Sequence, residues 1–181
     1  LRRHGQYRVE TVGLTSKPVT SMGGLMAFYA MAEYPDVFGL TTVTEISDEA
    51  DRLTREREHG AAEALYKKLL NQDLGPILRL QNLAKLADLY LSIRKRNEAI
   101  PVLEEIVHDF PASSEAPLAL YRIGNIFWNR NDNSQALGYF RRLTKDYPNG
   151  PEADRAQFAT ADIMESQGKS NEAIGLYRSL P

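Results

Sequence analysis

The chain has 181 residues, 43% of them hydrophobic and 25% charged, an ordinary soluble composition that argues against disorder throughout. With 22 basic and 24 acidic residues the net charge is −2, so neither nucleic acid nor an anionic membrane is the implied partner. No cysteine is present, which removes disulfides, thiolate metal sites and cysteine nucleophiles and leaves the compartment open.

Residues 1–41 fall outside any recurring pattern. Tyr7, Val9 and Thr11 alternate with Arg8, Glu10 and Val12, as in an extended arm that ends at Gly13 and Lys17-Pro18. Arg2, Arg3, Arg8 and Lys17 make it locally basic, so it reads as a loose lead-in or as a docking arm. Beyond Gly23-Gly24, the residues Leu25, Phe28, Tyr29 and Ala32 stand at helical spacing before Pro35, so one helix is expected near 21–34. Residues 36–44 then read as a loop or a short extended piece leading to the first repeat. The apolar run at 23–32 is too short to cross a bilayer, so no direct membrane span is expected there.

From residue 42 onward a two-helix pattern recurs, with units near 43–79, 80–116, 117–153 and 154–181. The first unit has Ile46, Glu49, Ala50 and Leu53, then Ala62, Tyr66 and Leu69, with Leu74 at the position where two later units place a proline. The second has Leu83, Leu86, Ala87 and Tyr90, then Ala99, Leu103, Ile106 and Pro111. The third has Leu120, Ile123, Gly124 and Phe127, then Ala136, Phe140, Leu143 and Pro148. The fourth has Gln157, Thr160, Ala161 and Met164, then Ala173, Tyr177 and Leu180. Ala62, Ala99, Ala136 and Ala173 lie 37 residues apart each time, so the register never slips. Packing explains the residue types: small side chains let two helices cross closely, while aromatics and leucines fill the space beside the crossing.

Asn97, Ser134 and Asn171 are expected as caps of second helices, with Glu98 and Glu172 following to complement the helix dipole. Pro101 is expected in a first turn, where a missing amide hydrogen costs nothing. No polar cap follows Leu180, so the chain is expected to continue or a partner to cover that face. The same open face allows a homo-oligomer.

These residues and their spacing resemble the tetratricopeptide repeat family; the one departure in the third unit is Leu120, where the family favours Trp. The resemblance implies an all-α fold, a right-handed α-solenoid of about four helix-turn-helix repeats with a non-repeat N-terminal arm. The period exceeds the commonest 34-residue version by three residues, placed between repeats at residues 111–115 and 148–152 and expected to lengthen the next first helix. The longer repeat, with the run YPNGPEADRAQF, looks like the bacterial cell-envelope branch: the Tol-Pal-associated periplasmic coordinator and the outer-membrane assembly lipoproteins. That branch implies a periplasmic or cell-envelope location, with the cytoplasm as alternative; the lipid-carrying cysteine of the lipoproteins is not matched here.

Members of the family generally bind proteins in a concave groove lined by the first helices. Here that face would carry Ser47, Asp51 and Thr54, then Gln81, Ala84, Asp88 and Leu91. The third repeat offers Leu118, Tyr121, Asn125 and Trp128, and the fourth Arg155, Phe158, Asp162 and Glu165. The centre is apolar through Leu91, Tyr121, Trp128 and Phe158, and Asp51, Asp88, Asp162 and Glu165 flank it. Aromatics at neighbouring turns suit a peptide or helix, and the acidic residues suit basic flanks on an apolar partner segment. A carboxylate-terminated chaperone tail is disfavoured, since Tyr121 stands where such members have lysine and carboxylates surround Asn125.

His4, His59 and His108 are scattered, and no phosphate-binding glycine loop, nucleophile elbow or dinucleotide fingerprint occurs. No catalytic residue, metal site or cofactor is therefore expected. The sequence reads as a non-catalytic scaffold or adaptor, a subunit of a larger assembly. The alternatives are a regulatory or targeting region of a larger enzyme and a self-assembling scaffold.

Overall fold

In the computed structural model, residues 35–180 are described, with side chains from Thr42 onward. Residues 1–34 of the arm expected over 1–41, and with them the helix expected near 21–34, lie outside the described residues, whereas 35–41 belong to the first helix of the array rather than to an arm. From Val43 the chain is one compact unit. Eight helices follow one another among the described residues: α1 (Pro35–Arg55), α2 (His59–Leu70), α3 (Pro76–Ser92), α4 (Arg96–Asp109), α5 (Glu115–Trp128), α6 (Asn133–Asp146), α7 (Pro151–Ser166) and α8 (Ser170–Ser179). They pair as α1–α2, α3–α4, α5–α6 and α7–α8, each pair a tight helical hairpin.

The loop expected over 36–44 is helical instead, as the opening of α1. Pro35 sits at the first position of that helix, where its fixed φ and missing N–H are harmless, so it opens this helix as readily as it closes an earlier one. The β-branched run Thr41, Thr42, Val43, Thr44 has poor helix propensity, but burial of Val43 against Leu69 and Leu74 overrides it. Leu74, at the position proline occupies in two later repeats, is thereby part of a small second core.

One turn serves all four hairpins. Arg57, Arg94, Asn131 and Gly168, 37 residues apart, have φ of 65°, 61°, 61° and 76°. After each, the amide of Glu58, Lys95, Asp132 or Lys169 reaches back to the carbonyl of Leu53, Tyr90, Phe127 or Met164 at 2.8 to 3.0 Å. This six-to-one bond with a left-handed residue is the Schellman arrangement, and it closes the first helix while reversing the chain. The carbonyl of the same residue then accepts from Ala62, Ala99, Ala136 or Ala173 and starts the second helix. The caps are therefore Glu58, Lys95, Asp132 and Lys169, not the expected Asn97, Ser134 and Asn171, which lie two residues inside their helices. Only Asp132 caps with its side chain, accepting from the Gln135 amide at 3.1 Å. Starting that early also places Pro101 sixth in α4, beyond the first turn. Its ring removes the bond to the Asn97 carbonyl, which is left on an exposed surface.

The three residues beyond the family's commonest period do not lengthen the first helices uniformly: α3, α5 and α7 have 17, 14 and 16 residues. The linkers 71–75, 110–114 and 147–150 absorb part of them.

The core follows the motif residues and adds a second stripe that the motif does not contain. Leu89, Ile126 and Ile163 are buried, as are Asn82, Ala119 and Ala156. Each set is spaced by 37, on the flank where one first helix meets the next, as α5 meets α7. First helices are thus buried on two sides, against their own partner and against the neighbouring repeat.

At the centre, Gly124 faces the ring of Phe140 rather than an alanine: a Cβ there would stand 2.4 Å from the ring. The second repeat meets the same need with Ala87 and the slimmer Leu103, both buried. Gly124→Ala is expected to lower stability by about 1–3 kcal/mol through overpacking, despite alanine's better helix propensity. Adding Phe140→Leu, which copies the second repeat, is expected to recover part of that loss in chemical denaturation; a neutral or stabilising single variant would contradict this packing.

Seams between repeats are latched by polar groups. Between the first and second, Glu63 accepts from Lys67 at 2.7 Å, from Lys95 at 2.8 Å and from the Tyr90 hydroxyl at 3.1 Å. Hydrogen bonds from Lys67 and then Lys95 hold the Glu63 carboxyl down at about 2. Because the folded value lies below the unfolded one, this stabilisation is complete above the unfolded pKa of about 4.3 and fades as pH falls from there towards 2. Glu63→Gln is expected to lower Tm at pH 7 and to lose most of that difference near pH 2. A Tm gap unchanged across that window would exclude the charge of Glu63 as the cause.

Candidate functional site

The groove face of the first helices repeats every 37 residues. Ser47, Ala84, Tyr121 and Phe158 share one position, Asp51, Asp88, Asn125 and Asp162 a second, and Thr54, Leu91, Trp128 and Glu165 a third. Gln81, Leu118 and Arg155 share a fourth at the start of the helices. In the structure Asp88, Arg155, Phe158, Glu165 and Gln81 are exposed, while Leu91, Leu118, Tyr121, Asn125, Trp128 and Asp162 are half-buried. The shared positions divide into two chemically different halves.

The half built by α1 and α3 is a polar network. Lys85 reaches Asp51 at 2.6 Å and Ser47 at 3.0 Å, and Ser47 donates to Asn82 at 3.3 Å. Asn82 is the one buried polar residue among the described residues, and its amide also donates to the Leu78 carbonyl at 2.8 Å. The Tyr66 hydroxyl, from α2 underneath, donates to Asp51 at 2.5 Å. Burial first, and then Asp51, push the Tyr66 phenol well above its ordinary range, so it remains a donor. A hollow of about 260 Å³ opens here, bounded by Asp51, Tyr66, Lys85, Asp88 and Ser92 among others.

One step along, Arg122 meets Asp88 at 2.6 Å. Lys85 and Arg122 each stand 34 residues after the carboxylate they pair with, so the two ion pairs form a ladder from one first helix to the next. The sequence reading named the carboxylates and missed these cations. A carboxylate followed 34 residues later by a base was the available signal. The ladder stops at the third repeat, where the corresponding residues are Asn125 and the buried Ala159.

Beyond the ladder lies the aromatic half. Tyr121 and Trp128 both rest on Phe140, with ring centroids at 6.0 Å (tilted) and 6.4 Å (edge-on). Phe140 is fully buried, so it fixes both rings from below. Phe158 stands edge-on to Tyr177 at 5.5 Å and keeps half its surface in solvent. The Tyr177 hydroxyl donates to Asp162 and, at 3.3 Å, to Glu165. Of the four expected acidic flanks, Asp51 and Asp88 are thus neutralised by Lys85 and Arg122, whereas Asp162 and Glu165 meet a neutral hydroxyl. The free negative charge sits beside the aromatics.

Chemically, the arrangement offers apolar area on rigid supports and a local negative rim. Among the described residues no group of His, Asp or Glu could hold a metal ion, and no helix is long and apolar enough to cross a membrane. Two substitutions separate structural from surface carboxylates. Asp51→Ala is expected to cost about 1–3 kcal/mol, because it removes the acceptor shared by the largely buried Tyr66 hydroxyl and Lys85. Asp88→Ala, which loses one exposed ion pair, should cost under about 1 kcal/mol. Equal losses in urea denaturation would contradict the assignment.

The family model described as tetratricopeptide repeat matches residues 84–151 and again 121–181. No curated protein sequence matches the chain. Among solved structures, MamA 41-end from Desulfovibrio magneticus RS-1 is similar, with 15% identity over 76% of this chain and 73% of that one and a TM-score of 0.56. The MamA RS-1 ArsTM double mutant gives a TM-score of 0.57, again at 15% identity, over 87% of this chain and 80% of that one. The nearly identical TPR-like repeats of a Podosopora anserina kinesin light chain candidate give 0.55 at 15% identity, over 77% and 73%. At such identity the likeness is one of fold.

Proposed function

The chain belongs to the tetratricopeptide repeat family, and from that premise we propose that it is a non-catalytic scaffold or adaptor that docks a partner protein in the groove of its first helices. The observation that carries this reading is the aromatic half. Tyr121 and Trp128 are held on buried Phe140, and Phe158 is half-exposed beside Tyr177. Rings already fixed in position lose little entropy on binding, which is what an interface hot spot requires.

The partner segment is a peptide or helix with apolar side chains against Tyr121, Trp128 and Phe158. A basic residue on it faces Asp162 and Glu165, where Tyr177 brings no charge to offset theirs. Leu91 and Asn125 extend the same surface towards the ladder, and Arg155 stands at its far end. Asp88, paired with Arg122, contributes less charge than its side chain alone suggests. The 37-residue period and its resemblance to the envelope branch support a periplasmic assembly as the setting.

A photo-crosslinking residue at Tyr121 in the native host is expected to give a discrete adduct, and the same residue at exposed Lys145 none. Trp128→Ala and Phe158→Ala should each weaken the captured partner's affinity by about tenfold or more. Equal adducts from both sites, or affinity unchanged in both variants, would remove the groove from the account.

A further inference from the structure

The third and fourth repeats meet differently from the second and third, and the difference leaves a pocket away from the groove. At the seam of the second and third repeats, Tyr139 of α6 stacks on Phe127 at 5.6 Å with the rings within 8° of parallel. Its hydroxyl donates to Glu104 of α4 at 2.7 Å, closing the seam. Thirty-seven residues on, the three corresponding residues are Leu176, Met164 and Arg141. Both rings are gone and the acid has become a base. Leu120 and Ile123, buried in the third repeat, are likewise replaced by Gln157 and Thr160 in the fourth.

What remains is a cavity of about 350 Å³ bounded by Leu137, Arg141, Gln157, Thr160, Met164 and Leu176. That volume is at the lower end of the range of small-molecule sites, roughly 300–1,000 Å³. Leu137, Met164 and Leu176 supply apolar wall. The Thr160 hydroxyl is already bonded to the Ala156 carbonyl at 2.7 Å, and the Gln157 amide is bonded to Ser179 at 2.5 Å. The strong polar group left at the cavity is the exposed Arg141 guanidinium. Asp146, a carboxylate of its own helix, is taken by Arg142 at 3.4 Å.

We propose that this seam binds a small amphipathic monocarboxylate, its apolar body occupying the volume that Phe127 and Tyr139 fill one repeat earlier and its carboxylate meeting Arg141. The cavity is walled by α6, α7 and α8 and none of the groove residues lines it, so the site is separate from the groove and does not depend on the reading given for it. A neutral amphiphile of the same length gains only the apolar part of the interaction, and a cationic one is repelled by Arg141.

Octanoate is the probe, titrated into the full chain below its micelle threshold and followed by methyl resonances of Thr160, Met164 and Leu176. Saturable shifts are expected, with octylamine binding at least about tenfold more weakly. Arg141→Gln, at an exposed position, should leave Tm unchanged and weaken octanoate by about tenfold while leaving octanol unaffected. The triple variant Arg141→Glu, Met164→Phe and Leu176→Tyr, which copies the filled seam, should abolish octanoate binding. Three results would each overturn the proposal: no saturable shift in the unmodified chain, equal affinity for octanoate and octylamine, or octanoate affinity unchanged by Arg141→Gln.

Discussion

The structure depends on how the chain reverses between the two helices of each repeat. A left-handed residue at 57, 94, 131 and 168 and the six-to-one bond after it close one helix and open the next within three or four residues. With the reversal that short, the two helices are held close together beside the turn, where the first helix carries only small residues: Ala50, Ala87, Gly124 and Ala161. Every other regularity follows from that fixed geometry. Because each turn falls at the same point of a 37-residue period, side chains at corresponding positions face corresponding neighbours, and each seam can be compared with the next residue by residue.

That comparison shows the array to be graded rather than uniform. The first two repeats are joined by charge, through Glu63 with Lys67 and Lys95 on one side and Asp51 with Lys85 on the other. The second and third are joined by the Tyr139 hydroxyl, whose ring is held on Phe127, donating to Glu104, and by Asp88 with Arg122. At the third and fourth, both kinds of latch are missing: Asn125 and Ala159 end the ladder, and Leu176, Met164 and Arg141 leave the cavity. The groove's aromatic half spans this least-latched seam. The surface proposed for docking therefore lies where the fewest polar and aromatic contacts join neighbouring repeats.

The repeat architecture was legible because its signal is redundant. Four alanines at one spacing, each with an aromatic or leucine four residues later, specify both helix type and pairing. Three features were harder to read. The true caps were missed because Asn97, Ser134 and Asn171 are good capping residues, while Lys95 and Lys169 are poor ones chosen by turn geometry instead of side-chain chemistry. The start of α1 was missed because Thr41, Thr42 and Thr44 lower helix propensity and Pro35 already served as a stop. In the groove, the aromatic positions were readable one helix at a time. The ladder was not, because each ion pair joins two helices and a single-helix periodicity cannot show it.

The central claim is that the stack is latched at its first two seams and open at its third. Native-state hydrogen exchange of the full chain, read by mass spectrometry helix by helix, tests this most directly. Amides of α7 and α8 are expected to exchange together through an opening of lower free energy than that of α3 to α6, with α3 to α6 exchanging near the global limit. Uniform protection from α3 to α8, or protection lowest at α3 and α4, would contradict the account.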